Sequence, residues 1–315
     1  TDWDYPFAGH KSQGDWQAAL GITVRVQHLC WVSMAGEAKR DYPASIFYQS
    51  PWWREYPVVE DHYARLNAVL TRGRPHVRLA VVHPVESFWL CYGPLDKTAT
   101  ERQEREHCFA TLVDWLLFGL LDFDFLSESL LPEQSPVRRK PHLAVGEMSY
   151  ETVLVPPMRT IRSTTLDRLE AFVAAGGNLV FLGEIPTLVD ARPSPRPAAL
   201  AALCANVPFS QARLLEALAD RREIEVLQGG ATPAASLLHQ LRDEGDNRYL
   251  FVCNTARHRP QPDLRFALAG DWQVTLLDTF TGSQQPVAAD YTDQHTRFVW
   301  DAPAHGHLLL QLEPG

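Results

Sequence analysis

A strand–helix–strand succession in the middle of the chain limits the possible folds more than any other feature. Residues 152–156 and 178–182 are short apolar runs, and the apolar side chains at 166–173 recur at helical spacing before two glycines. A helix that joins two strands of one sheet makes those strands parallel. Similar runs at 77–82 and 123–126 predict further strands. A parallel, Rossmann-like α/β domain is therefore expected here.

The pattern changes from residue 249 onward. Short segments with alternating apolar and polar side chains are separated by turn residues, at 249–253, 263–268, 272–277, 296–300 and 308–312. Closely spaced strands without helices between them are typical of an antiparallel sheet. The sequence therefore predicts a small antiparallel β domain at the C-terminal end.

Residues 1–75 contain too few elements to close a core of their own. A helix that ends at Gly21 precedes a β-branched run at 22–26, and a second helix is predicted at 58–70 after a long polar and aromatic loop. A helix, a strand and a helix would serve as the last units of a TIM-like (β/α)₈ barrel. Three domains are thus expected: 1–75 from such a barrel, 76–220 with the parallel sheet, and 221–315 with the antiparallel strands.

Composition and charge exclude several partners and cofactors. A formal net charge of −9 argues against nucleic acid, which binds basic surfaces. The apolar runs are too short to span a bilayer. The sequence contains no GxGxxG, no P-loop and no metal-ligand spacing, so neither a cofactor nor a metal is expected. The 5 cysteines are widely spaced in apolar surroundings, which predicts free thiols and a reducing, cytoplasmic location.

Polar residues are concentrated in the loop that follows the predicted strand at 22–26. Barrel enzymes place their active sites at the C-terminal ends of the strands, so this loop is the predicted substrate site. The side chains expected to bind substrate are His28, Trp31, Arg40, Asp41 and Tyr42. Trp31 would stack on a sugar ring, while Arg40 and Asp41 would bind hydroxyl groups. The alternative is an ion pair between Arg40 and Asp41 that only fixes the loop.

Glu37 is the candidate catalytic residue in the same loop. Glycoside hydrolysis usually requires two carboxylates, and the sequence identifies no second one here. The alternative is that Glu37 is an ordinary surface residue. An aromatic cluster follows at 48–56 and contains Trp52 and Trp53. These rings would form a pocket wall or, alternatively, only pack against each other.

Several short runs carry a resemblance to a known group of enzymes. They are GDWQAALG at 14–21, GEAKRDYP at 36–43, YQSPWW at 48–53, VHPVESFW at 82–89 and LEAFVAAGG at 169–177. These runs resemble the end of the barrel and the amidotransferase-like second domain of bacterial glycoside hydrolases, which are similar to family 42 β-galactosidases and family 106 α-L-rhamnosidases. The resemblance extends over nearly the whole chain.

The resemblance implies a carbohydrate-active protein, part of a glycoside hydrolase that hydrolyses O-glycosidic bonds. In such enzymes two glutamates after the fourth and seventh barrel strands perform catalysis. If residues 22–27 are the eighth strand, both glutamates lie outside this chain. The resemblance also implies that the second domain makes oligomer contacts, so a homo-oligomer is expected. The alternative function is a non-catalytic carbohydrate-binding or assembly module.

Overall fold

The computed structural model describes residues 3–27, 30–37 and 45–315. The chain divides into two compact units. Unit 1 combines the residues up to His76 with Glu223–Gly315, and unit 2 is the continuous segment Val77–Arg222. Unit 2 is therefore inserted into the sequence of unit 1.

The N-terminal part of unit 1 is mainly helical. Its elements are α1 (Phe7–Ala19), α2 (Pro57–Leu70) and the short strand β1 (Arg74–Pro75). The helix predicted at 58–70 is confirmed, since Pro57 occupies its first turn and Val59, Tyr63, Leu66 and Leu70 are buried. Helix α1 starts earlier than its apolar pattern indicates. Its buried face consists mostly of small and polar side chains, which hydrophobic periodicity does not detect.

The strand predicted at 22–26 was wrong, because residues 22–27 have no regular secondary structure. The β-branched side chains there are largely solvent-exposed: 50% for Ile22, 69% for Val24 and 88% for Val26. A strand needs a neighbour that satisfies its backbone hydrogen bonds. No strand within the described parts of the chain pairs with this run.

Unit 2 alternates strands and helices. In chain order its elements are β2 (Leu79–Val82), α3 (Val85–Leu90), α4 (Leu95–Phe118), β3 (Phe123–Leu126), α5 (Leu131–Gln134), β4 (Leu143–Val145), β5 (Met148–Tyr150), β6 (Thr152–Val155), β7 (Thr160–Ile161), α6 (Ser163–Val173), β8 (Asn178–Leu182), β9 (Leu188–Val189), β10 (Arg192–Pro193), α7 (Arg196–Ala201), β11 (Ala205–Val207), α8 (Gln211–Ala217) and a 3₁₀ helix (Ala219–Arg221).

A five-stranded parallel sheet forms the centre of unit 2, which confirms the predicted parallel strands. The strand order in the sheet is β11-β8-β6-β2-β3. This is a doubly wound order, in which β3, the second strand of the sheet in sequence, lies at the edge beside β2, the first. Alternate side chains of β2 enter different cores. Ala80 and Val82 pack with Phe172 of α6, whereas Leu79 and Val81 pack with α4 and α8. Both faces are thus covered, as parallel sheets require.

The C-terminal part of unit 1 consists of strands. They are β12 (Ile224–Gln228), β13 (Thr232–Pro233), β14 (Leu237–Glu244), β15 (Asn247–Asn254), β16 (Gln261–Ala269), β17 (Trp272–Leu277), β18 (Gln284–Pro286), β19 (Asp290–Thr292), β20 (His295–Ala302) and β21 (His307–Pro314). These strands form two antiparallel sheets, β1-β14-β15-β21-β17-β18 and β13-β12-β16-β20-β19, and the predicted antiparallel strands are confirmed.

The N-terminal helices of unit 1 are joined directly to its sheets. Strand β1 pairs with β14, and the Gln240 side chain of β14 donates a hydrogen bond to the carbonyl of Ala18 at 3.0 Å. Arg242, also in β14, donates from Nε to the carbonyl of Arg72 at 2.6 Å. None of the helices in the described residues is both long enough and apolar enough to cross a membrane.

Candidate functional site

Only part of the predicted sugar-binding loop can be placed. His28, Arg40, Asp41 and Tyr42 lie outside the described residues. Trp31 is half-buried, and Glu37 is exposed. The roles of these residues therefore stay predictions.

The aromatic stretch after the loop fixes the backbone of the segment that contains Trp31. The Gln49 side chain donates to the carbonyl of Trp31 at 2.7 Å, and the Tyr48 hydroxyl donates to the carbonyl of Val32 at 2.8 Å. Trp52 makes an edge contact with Phe7, with ring centroids 5.2 Å apart. Its ring is thus part of a packed cluster. Tyr48 and Gln49 instead support the predicted sugar-binding segment.

A buried hydrogen-bonded chain joins α1, α2 and the C-terminal strands of unit 1. Asp15 Oδ1 lies 2.7 Å from His62 Nε2, and His62 Nδ1 lies 2.7 Å from the Thr279 hydroxyl. The same hydroxyl lies 2.7 Å from His307 Nε2. The Lys11 ammonium group contacts Asp15 Oδ2 and also donates to the carbonyl of His305 at 2.9 Å. The members of this hydrogen-bonded chain therefore come from two helices, one strand and two turns.

The charges determine the direction of the hydrogen bonds. Burial by itself would raise the pKa of Asp15, but the hydrogen bond from His62 and the charge of Lys11 lower it to about 2. Burial lowers the pKa of His307 to about 3, so this imidazole is neutral. Asp15 is then an acceptor, which makes His62 Nε2 a donor. The Thr279 hydroxyl contacts both His62 Nδ1 and His307 Nε2, so it joins the two imidazoles.

This hydrogen-bonded chain of side chains holds helices and strands of unit 1 in place and is not positioned to attack a substrate. Thr279 is 1% exposed and His62 is 0% exposed, so neither can contact a bound ligand directly. This hydrogen-bonded chain could not be predicted from the sequence because its members are far apart there. Its one visible signal in the sequence is the closely spaced pair His305 and His307.

The carboxyl edge of the parallel sheet is the usual ligand site of an open α/β fold. At this edge Glu86, after β2, contacts Arg162 Nε at 2.6 Å. Glu128, after β3, accepts the backbone N–H of Arg162 at 2.8 Å. The turn after β2 has no cysteine, and burial raises the pKa of Cys91, Cys108 and Cys204, the three cysteines of unit 2. Unit 2 thus lacks the activated thiolate that amidotransferase chemistry needs.

A cavity of about 590 Å³ also lies at the strand ends of unit 2, beside the first half of α4. Its one arginine, Arg105, pairs with Glu101 at 3.1 Å and Glu184 at 3.5 Å. These internal pairs leave no free positive charge on its wall. In the described part of the chain, no three His, Cys, Asp or Glu side chains are grouped so that they could hold a metal ion.

Comparisons with known proteins find similarity at the level of structure. No family model matches the sequence, and no curated protein matches it. The rhamnosidase from Novosphingobium sp. PP1Y is similar over 99% of this chain and 30% of its own, with 15% identity and a TM-score of 0.67. The β-galactosidase from Rahnella sp. R3 is similar over 96% of this chain and 51% of its own, with 15% identity and a TM-score of 0.60.

A third similar structure is the family 42 exo-carrageenase from Bacteroides ovatus. The similarity extends over 100% of this chain and 40% of the exo-carrageenase, with 11% identity and a TM-score of 0.56. The chain therefore spans about half or less of the length of these three proteins. Identities this low show a shared fold alone. The distant similarity to glycoside hydrolases, indicated by the sequence motifs, is confirmed.

Proposed function

We propose that this chain is part of a glycoside hydrolase that hydrolyses O-glycosidic bonds, with its catalytic glutamates outside residues 1–315. The observation that supports this proposal is the similarity of fold to a rhamnosidase and a β-galactosidase over 99% and 96% of the chain. Both of those proteins are named for acting on sugars, so the proposed substrate is a carbohydrate.

In this proposal the three predicted regions keep distinct roles. Residues 1–75 are the last units of the TIM-like barrel, 76–220 the amidotransferase-like domain, and 221–315 the C-terminal β domain. The loop with His28, Trp31, Arg40, Asp41 and Tyr42 faces the sugar. The hydrogen bonds from Tyr48 and Gln49 support this role, because they fix the backbone on which Trp31 is held. No cofactor takes part.

A second candidate function is a non-catalytic carbohydrate-binding or assembly module. The observation that favours assembly is the exposed apolar run at 22–26, since exposed apolar surface commonly marks an interaction site. A homo-oligomer would bury it.

The 5 cysteines are free, which supports the proposed cytoplasmic location.

Two measurements on the 315-residue chain test the proposal. Nitrophenyl glycosides should not be hydrolysed, because the glutamate pair is absent, whereas titration with galactose and rhamnose should show binding that Trp31→Ala weakens. The control is Trp89→Ala, which removes an equally large side chain, 63% exposed, from unit 2.

Two results would contradict the proposal. Turnover that disappears in Glu37→Gln would place a catalytic glutamate inside the chain. Binding of neutral sugars that is equal in wild type and Trp31→Ala would remove the proposed sugar loop.

Sedimentation would decide between an oligomer and a monomer, and a monomer would argue against the assembly module.

A further inference from the structure

We propose that unit 1 contains a second sugar site, lined by residues other than Trp31, and that it binds a single sugar ring carrying a negative charge, either a carboxylate or a sulfate. The site is a cavity of about 250 Å³ between α1 and the ends of β15 and β20. Its lining includes Trp16, Thr255, Arg257 and His305. The choice of a sugar as ligand rests on the proposed function.

The aromatic wall of the cavity comes from α1. Trp16 lines the cavity and is 44% exposed, while its neighbour Asp15 is 1% exposed and held by His62 and Lys11. The buried anchor at Asp15 thus fixes the helix turn that presents Trp16. A fixed, partly exposed indole offers the apolar face on which a sugar ring can stack.

The opposite wall is positively charged. Arg257 lines the cavity, is exposed, and has no ion-pair partner among the residues that the structure describes. The next residues are His258 and Arg259, and Arg259 also lacks an ion pair within the described ranges. Because Lys11 and Asp15 neutralise each other, the uncompensated charge on the cavity lining is that of Arg257.

The loop that carries Arg257 is rigidly attached. The Asn254 side chain makes four hydrogen bonds. Its amide nitrogen donates to the carbonyls of Arg259 and Pro303, each at 3.0 Å, and its oxygen accepts from the backbone N–H of Ala256 at 3.0 Å and the side chain of Gln261 at 2.6 Å. On the other side, the hydrogen bond from Lys11 to the carbonyl of His305 ties the β20–β21 turn to α1. The cavity is therefore formed before any ligand binds, which reduces the entropy cost of binding.

Size and chemistry together select the ligand. The cavity is smaller than the pockets of about 300–1,000 Å³ that hold drug-sized molecules, so it fits one ring rather than an oligosaccharide. Trp16 would stack on the ring, and Arg257 would bind its carboxylate or sulfate through charge-assisted hydrogen bonds. The Thr255 hydroxyl would reach a ring hydroxyl as an acceptor, since its proton is donated to the carbonyl of Ser236 at 2.9 Å.

The test is a titration of the full 315-residue chain with three sugars that share a ring: galactose, galacturonate and galactose 6-sulfate. We expect at least one charged sugar to bind about tenfold more tightly than galactose, with an affinity that falls as salt is raised. Arg257→Gln should abolish this preference. Trp16→Ala should abolish the tighter binding of the charged sugar, whereas Trp16→Phe should retain most of it. A preference for galacturonate or for the sulfate identifies the charged group.

Matched controls separate this site from general charge effects and from the sugar loop. Arg139→Gln removes an exposed arginine from unit 2 and should leave the preference unchanged. Trp31→Ala should also leave it unchanged. Because Trp16 and Arg257 are exposed, unfolding curves of their variants should match the wild type.

The outcomes distinguish this inference from the proposed function. Neutral sugar binding that depends on Trp31, together with no preference for charged sugars, would overturn the second site and leave the proposed function standing. A charged-sugar preference that persists in Arg257→Gln and Trp16→Ala would overturn the location. Charged-sugar binding that depends on Arg257 and not on Trp31, without neutral binding, would support the second site and contradict the proposed sugar loop.

Discussion

Replacing Glu128 by glutamine should change how the stability of unit 2 depends on pH. Glu128 is 1% exposed, and its Oε2 atom accepts the backbone N–H of Arg162 at 2.8 Å. Burial raises the pKa of this carboxyl from its ordinary 4.5 to about 7, the hydrogen bond from Arg162 opposes the rise, and the charge of Glu86 adds to it. A glutamine oxygen keeps the hydrogen bond and cannot ionise.

The sign follows from the direction of this pKa change. Because the folded protein holds the proton more tightly than the unfolded chain, the stabilising contribution is complete below pH 4.5 and is lost as pH rises through about 7. Each pH unit between the two pKa values corresponds to about 1.4 kcal/mol. The wild type should therefore lose about 3 kcal/mol between pH 4.5 and pH 8 through Glu128 alone.

The assay compares wild type and Glu128→Gln by urea unfolding at pH 5, 6.5 and 8. Hydrogen-exchange protection of α6 would localise the effect, since Arg162 precedes that helix. Glu133→Gln, an exposed change on the neighbouring α5, is the control for added amide groups. Relative to Glu128→Gln, the wild type should weaken steadily as pH rises. Parallel pH profiles for the two proteins would refute the reasoning.

Two further substitutions test unit 1 by urea unfolding. A Cβ at Gly73 would lie 1.9 Å from a backbone carbonyl of β14, whereas one at Gly245, which has a similar positive φ, would meet nothing within 4 Å. Gly73→Ala should thus destabilise unit 1 by about 1–3 kcal/mol more than Gly245→Ala, and equal losses would exclude the steric clash. Asp15→Asn leaves Lys11 buried without its carboxylate and should cost about 3–5 kcal/mol. Asp61→Asn, an exposed change, should alter the free energy of unfolding by less than about 0.5 kcal/mol. Similar losses in Asp15→Asn and Asp61→Asn would contradict a stabilising role for the buried Lys11–Asp15 pair.

The parallel sheet could be predicted because its strands are short, continuous apolar runs. Strands β2, β6 and β8 are buried on both faces, which leaves a signal in each segment by itself. Strand β14 could not be found in this way. It buries His239, Gln240 and Arg242, and polar side chains in a core hide the apolar pattern. Their partners, such as the carbonyls of Ala18 and Arg72, are distant in sequence.

The candidate sites show the same limit more strongly. The loop residues Trp31 and Glu37 could be selected because both lie in one short segment of the sequence. The cavity lined by Trp16 and Arg257 could not, because the two side chains are brought together only when β15 docks beside α1. The run at 22–26 shows the opposite failure. Its β-branched residues favour a strand, but local preference forms none without a neighbouring strand.

The inserted position of unit 2 has a consequence for how the chain reaches its folded state. Unit 1 closes only when β14 meets β1 and α1, across an intervening segment of about 150 residues. During synthesis that segment leaves the ribosome before strands β12–β21 of unit 1 exist, and domains generally fold as units. If unit 2 folds first, it turns a long flexible loop into a compact body and lowers the entropy lost when the first and last parts of the chain meet. A mutation deep in the parallel sheet of unit 2 would then delay the assembly of the antiparallel sheets of unit 1, to which unit 2 contributes no strand.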